Sequence, residues 1–331
     1  MNIRESSPVW TFDPLAVPPG AVAQVEWVFA SVADLPPAVL PTIVIAGTQP
    51  GKTAVLVAGI HGDEYEGIAA LWTLAETLKP NDISGRIILL PIAHTAAFGA
   101  GTRTSPVDDV NLARVFPGDP DGTITHRLAA HLFTRIVTHA DLLIDCHSGG
   151  SRLVFVPVSG FYQAGGDIAA QAAEASFRAA CYMSLPYLWS LPHRSGVLSY
   201  EAARRGIAVT GCEIGGRGGR LESDSCLYVE GIRRVLQAWG ILAGTPGEQP
   251  AYPTYLDGDW QLAPVAGFLE NHVQLGQSVS AGASIAAIRG AFGESLVVMT
   301  APTDGVVMGL RHLCSIGSGE WATCVVQERP L

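Results

Sequence analysis

The 331-residue sequence predicts an α/β fold: a mostly parallel, helix-covered sheet followed by a small all-β domain. Three observations carry that prediction. Apolar strand-like runs alternate with helix-like stretches through the middle of the chain. Those runs are apolar on both faces, as strands are when helices cover the sheet on each side. Past a linker-like break at 244–259 the texture changes to short β-like pieces separated by Gly turns.

Taken in order, residues 1–40 are Pro-rich with β-branched and aromatic runs, read as an edge strand or hairpin leading into the main sheet through TIVIAG from Thr42. Strands are expected at 53–60, 86–93, 141–146, 152–158 and 207–214. Helices are expected at 64–78, 123–139, 165–181 and near 222–241. The stretch 244–259 holds three prolines and three glycines without periodicity, a linker composition. The domains are therefore set at 1–245, including the N-terminal β segment, and 257–331.

Composition narrows the function. Apolar residues make up 48% and charged residues 15%, enough for a large buried core and too little charge for a disordered chain. The net charge of −10 repels phosphate backbones and anionic lipid, so neither nucleic acid nor a membrane is an expected partner. A small acidic substrate would need arginine to make the pocket locally positive. The six cysteines (146, 181, 212, 226, 314 and 324) form no C-x-x-C pair and read as reduced core thiols of a cytoplasmic protein. The N-terminal residues carry no apolar signal region, and no run reaches the roughly 18 apolar residues of a membrane span.

Three motifs carry chemistry. His61-Gly62-Asp63-Glu64 follows the 53–60 strand and opens a helix, so His61 and Glu64 can converge on one ion. Read alone, HGDE is equally a loop with an N-capping Asp63. His147, in DCHSGG, sits just past another buried strand, and Asp145 two residues earlier points the same way, where it can orient a ligand or the bound water. Glu213 ends a third strand, where a carboxylate needs a partner. All three motifs fall at the C-terminal edge of one predicted sheet, where ligands of open α/β sheets gather. Two histidines and one carboxylate leave a zinc position open, which is the catalytic pattern, and a second carboxylate nearby can act as general base. His126, His131 and His139 lie too far apart along one helix for a tight ligand pair. Arg194, with His193, is weighed as a further residue in reach of the substrate.

The segments AGIHGDEYEG (58–67), DDVNLARVFPGDP (108–120), LLIDCHSGG (142–150) and CEIGG (212–216) together resemble the succinylglutamate desuccinylase/aspartoacylase family, a branch of the zinc carboxypeptidase-like hydrolases. The resemblance implies a sheet of zinc carboxypeptidase type and one Zn²⁺ per chain on His61, Glu64 and His147. It implies Glu213 as catalytic base, Arg103 as the arginine that polarises the scissile carbonyl, and Arg114 as binder of a substrate carboxylate. The family usually has Asn immediately before that last arginine; this chain has Ala113, and Asn111 is the candidate to take the role. The tail is similar to biotinyl/lipoyl-type barrels, but the only lysines are Lys52 and Lys79, so a swinging-arm carrier is excluded. The tail is expected instead to shield the active-site rim or to support a homo-oligomer such as a dimer.

The expected activity is zinc-dependent hydrolysis of the amide of an N-acyl amino acid, with N-acetyl-2,4-diaminobutyrate as the substrate the HGDEYEG form suggests. The alternatives are a carboxypeptidase or amidase for a short peptide, and a non-catalytic zinc protein that only binds an acylated ligand.

Overall fold

A computed structural model describes residues 2–4, 12–30 and 38–331. A short strand β1 (Asn2–Arg4) precedes an antiparallel pair, β2 (Val22–Ala30) and β3 (Ala38–Ala46), with Val22 opposite Ile45. This pair is the expected N-terminal β segment; residues 1, 5–11 and 31–37, which that expectation also covers, lie outside the described residues. The chain continues as β4 (Gln49–Val57), α1 (Glu66–Thr77), β5 (Ser84–Leu90), α2 (Thr95–Ala100), α3 (Ile124–Arg135) and β6 (Leu142–His147). It then forms β7 (Leu153–Phe161), α4 (Ala170–Tyr182), β8 (Tyr187–Ser190), α5 (Leu198–Ala203), β9 (Ala208–Gly216) and α6 (Glu222–Ala238).

The sheet is parallel through its centre, in the order β5-β4-β6-β9, and again where β1 pairs with β2 and β7 with β8. β3 runs antiparallel to β5, and β7 antiparallel to β9, so the mostly parallel sheet also carries antiparallel pairings. The reason is loop length. Only residues 148–152 separate β6 from β7, and a parallel crossover needs about a dozen residues or more.

Alternation along the central strands divides the core between two helical layers. Val55, Val57 and Leu143 pack with Leu128, Leu132 and Phe133 of α3 and Leu198 of α5. Leu56, Leu142 and Ile144 pack with Leu71 and Leu74 of α1 and Ile232 and Val235 of α6. Each such leucine, fully removed from water, stabilises the fold by roughly 2 kcal/mol.

The remaining strands are β10 (Thr254–Asp257), β11 (Gln261–Leu262), β12 (Gly267–Asn271), β13 (Ser278–Val279), β14 (Ser284–Arg289), β15 (Ser295–Thr300), β16 (Gly305–Arg311), β17 (Ser315–Ile316) and β18 (Trp321–Pro330). β10 falls inside the stretch read as a linker. It pairs with β8, β18 pairs with β10, and β16 pairs with β7, so the C-terminal strands extend the main sheet. A second sheet, β15-β14-β12-β17, shares with them a core that includes Val154, Leu269, Ile285 and Val307. Among the described residues no helix is long and apolar enough to cross a membrane.

Candidate metal centre and active-site cleft

The loop between β4 and α1 brings His61 and Glu64 to the sheet edge, 2% and 3% exposed. It lies so close to α2 that a Cβ on Gly62 would strike the Ala97 carbonyl. Asp63 does not cap α1. Its Oδ2 accepts from the Ser151 backbone N–H at 2.8 Å and hydroxyl at 2.7 Å, tying this loop to the one that follows β6. β6 ends in Asp145 and His147, and β9 sets Glu213 in register beside His147. Tyr228 of α6 donates its hydroxyl to the carbonyls of His147 and Cys212, holding the two strand ends together.

Glu64 stands between the imidazoles. Its Oε1 lies 2.7 Å from His61 Nδ1 and its Oε2 2.9 Å from His147 Nδ1. Both far nitrogens face oxygen. His61 Nε2 is 3.2 Å from Asn111 Oδ1, which also accepts from the Ala113 N–H at 2.9 Å. His147 Nε2 is 3.1 Å from Asp145 Oδ1. A neutral imidazole has a single N–H. When that proton serves the outer acceptor, each Nδ1 is a bare lone pair against a carboxylate, and two acceptors in contact require a cation between them. One ligand atom from each of His61, Glu64 and His147 lies within 4.8 Å of the others. A tetrahedral ion with bonds near 2.0–2.1 Å needs ligand atoms roughly 3.3 Å apart. The donor set and its outer hydrogen-bond partners therefore fit a divalent metal ion.

The ionisation pattern agrees. Burial, reinforced by the Arg103 charge, pushes His61 down to about 4, leaving a neutral ring able to coordinate. Burial opposes the charge on Glu64, yet His61 and His147 together hold its carboxyl well below the usual range. Burial also opposes the charge on His147, but Asp145 and Glu64 raise it well above an ordinary imidazole. That proton supplies the positive charge the carboxylates demand, and a divalent ion bound to the same nitrogen would displace it. Glu213 differs: burial pushes it up to about 8 against the pull of His147, and its Oε2 is buried without a hydrogen-bond partner among the described residues.

The cleft over this edge is lined by Arg103, Arg114 and Arg194, by Tyr162 and Ser199, and by Trp189, Trp260 and Trp321. Arg103 donates to Glu64 Oε1 at 3.0 Å and lies 5.4 Å from the Trp321 ring centre. Arg114 donates from Nη1 to the Ala113 carbonyl at 2.8 Å and has no carboxylate partner among the described residues. Burial, then the charges of Arg103 and Arg194, hold it below an ordinary arginine. Ala113 is buried in the cleft wall. Asn111, expected to help hold the carboxylate, has its side-chain oxygen on His61 and Ala113 and lines a neighbouring groove with Arg103 and Arg114, so only its amide nitrogen remains for a ligand. Of the pair His193 and Arg194, only Arg194 reaches the cleft; His193 Nε2 faces the Gln163 carbonyl at 3.1 Å. Sequence reasoning missed the tryptophan wall and the Tyr162–Ser199 hydroxyl pair, 3.1 Å apart. Neither belongs to a motif, and no local signal marks them.

The family model of the succinylglutamate desuccinylase/aspartoacylase catalytic domain matches residues 50–238. The chain is 32% identical over 298 residues to the N-alpha-acetyl-L-2,4-diaminobutyric acid deacetylase of Halomonas elongata, covering 88% of this chain and 86% of that one. Among solved structures, the product-bound ectoine utilization protein EutE of Ruegeria pomeroyi superposes with a TM-score of 0.84 at 31% identity, covering 92% of this chain and 95% of that one. A succinylglutamate desuccinylase of Silicibacter sp. gives a TM-score of 0.81 at 32% identity, covering 92% and 93%.

Proposed function

Since the chain belongs to the succinylglutamate desuccinylase/aspartoacylase family, we propose that it is a zinc-dependent deacylase of N-acyl amino acids whose substrate is Nα-acetyl-2,4-diaminobutyrate. The observation that carries this reading is the buried Glu213 Oε2, which has no partner among the described residues and lies beside a His-Glu-His set at the same sheet edge. A protein that only bound an acylated ligand would have no use for an unpaired carboxylate there, since leaving one is costly.

A bound zinc ion supplies a Lewis acid that lowers the pKa of water toward about 7. His61, Glu64 and His147 would hold it, with Asn111 and Asp145 against the far nitrogens of the two imidazoles. In its ionised form, Glu213 takes a proton from the attacking water at Oε2. Oxygen of that water bonds to the acyl carbon, the carbon–nitrogen bond breaks, and Glu213 returns the proton to the leaving nitrogen. Arg103 offers donors to the developing oxyanion. Arg114, which no carboxylate pairs among the described residues, presents its remaining donors to the α-carboxylate. The products are acetate and a free amino acid.

The test is a panel of N-acetyl, N-succinyl and N-formyl amino acids given to zinc-loaded and chelator-stripped protein. Metal-dependent release of acetate from Nα-acetyl-2,4-diaminobutyrate is expected. No amine release from any panel member, with zinc bound, would sink the proposal.

A further inference from the structure

The cleft has an electrostatic asymmetry that the deacylation chemistry leaves unexplained. Three arginines line it, and two of them, Arg103 and Arg194, bear on the third, Arg114. Of its lining carboxylates, Asp145 serves His147 and Glu213 is the proposed base. Asp259 alone comes from the opposite wall, from the turn between β10 and β11.

That turn is held in place. Trp189 Nε1 donates to the Gly258 carbonyl at 3.4 Å, and the Trp260 ring stacks on Trp321 with centroids 5.4 Å apart. Asp259 Oδ1 accepts from the Trp260 N–H at 2.8 Å, which fixes the carboxylate. Its Oδ2 accepts from Arg194 Nη2 at 3.0 Å, with the side chains 51% and 42% exposed. An ion pair so open to water is weak, so a second cation can share or replace Arg194. A carboxylate also has lone pairs to spare after two bonds.

We propose that Asp259 is the specificity residue that recognises a free amino group on the substrate side chain. This rests on the deacylase reading and deepens it. With the acyl group at the metal set and the α-carboxylate on Arg114, the side chain is the part left to be read. A side chain ending in ammonium meets an anchored carboxylate; one ending in carboxylate meets repulsion. Asp259 thus sets the sign of charge accepted by a cleft otherwise rich in arginine.

The experiment compares kcat/KM for Nα-acetyl-2,4-diaminobutyrate and for Nα-acetylnorvaline, which has the same number of heavy atoms and no side-chain charge. Wild type is expected to favour the diamino substrate by about tenfold or more. Asp259→Asn should bring that ratio toward one, chiefly through KM, and Asp259→Glu should recover part of it. Arg194→Ala breaks the pair but keeps the carboxylate, so the ratio should survive. If Asp259 were only a latch between Arg194 and the C-terminal strands, Asp259→Asn would weaken both substrates alike, and an unchanged ratio would overturn the proposal. A wild-type enzyme without the preference would overturn it together with the diamino-acid assignment. Hydrolysis of neither substrate would bring down the deacylase reading itself.

Discussion

The two walls of the cleft are built differently. On the inner wall, at the edge of the central sheet, nearly every polar group is buried and fixed by another: Glu64 by two imidazoles, His61 by Asn111, His147 by Asp145. On the outer wall, aromatic rings and half-exposed ions meet through contacts that are individually weak: Trp260 on Trp321, Arg103 over Trp321, Arg194 on Asp259. A buried network tolerates little change, because a group stripped of its partner there keeps the full cost of desolvation. An open, aromatic wall can exchange contacts with a ligand cheaply. On the proposed function, the metal set and the base belong to the inner wall, and the reading of the substrate side chain to the outer.

The hardest blow to that contrast falls on the metal set. His147→Ala and His61→Ala should each lose the roughly one zinc per chain expected of this donor set, with turnover falling to background. Metal analysis that finds full zinc in both variants would remove them from the ligand set. Glu213→Gln comes next: it should keep its zinc and lose about 10²–10⁴-fold in kcat, because an amide cannot take the proton. Activity within tenfold of wild type would assign the base to another group.

Arg114→Lys keeps the charge but not the fork. It should cost about 2 kcal/mol, roughly thirtyfold in kcat/KM, on a carboxylate substrate and little on the matched amide. Equal losses on both would make Arg114 structural and leave Ala113 as the mark of a lost carboxylate clamp. The smallest effect is expected on the outer wall. Trp321→Ala removes one ring stack and one cation–π contact, about 1–2 kcal/mol together, and should raise KM about tenfold while zinc content stays constant. Loss of metal in this variant would break the contrast, since the walls would then be one cooperative unit.

Much of the inner wall was readable in the sequence. His61, His147 and Glu213 each follow an apolar run, and apolar runs of that length become strands whose ends share an edge. Glu64 could be added from its spacing to His61. The antiparallel turn of β7 was also readable, since five residues between DLLIDCH and LVFVPV cannot carry a crossover. The roles of Asp63 and Asn111 were not. Asp63 looks like a helix cap, yet its Oδ2 accepts from Ser151, far along the chain. Asn111 reads as a ligand for substrate, and nothing local shows that its oxygen also lies 3.2 Å from His61 Nε2.

Periodicity, motif spacing and charge, all properties of short stretches, determined the strand–helix rhythm, the metal-binding residue types and the family. Tertiary structure decided the rest. β7 and β8 left open edges, and β16 and β10 paired with them, bringing Asp259, Trp260 and Trp321 opposite residues more than a hundred positions earlier in the chain. Backbone hydrogen bonds make that pairing, and they carry little imprint of side-chain identity. The outer wall is therefore written in no local pattern and exists only once the sheet is assembled.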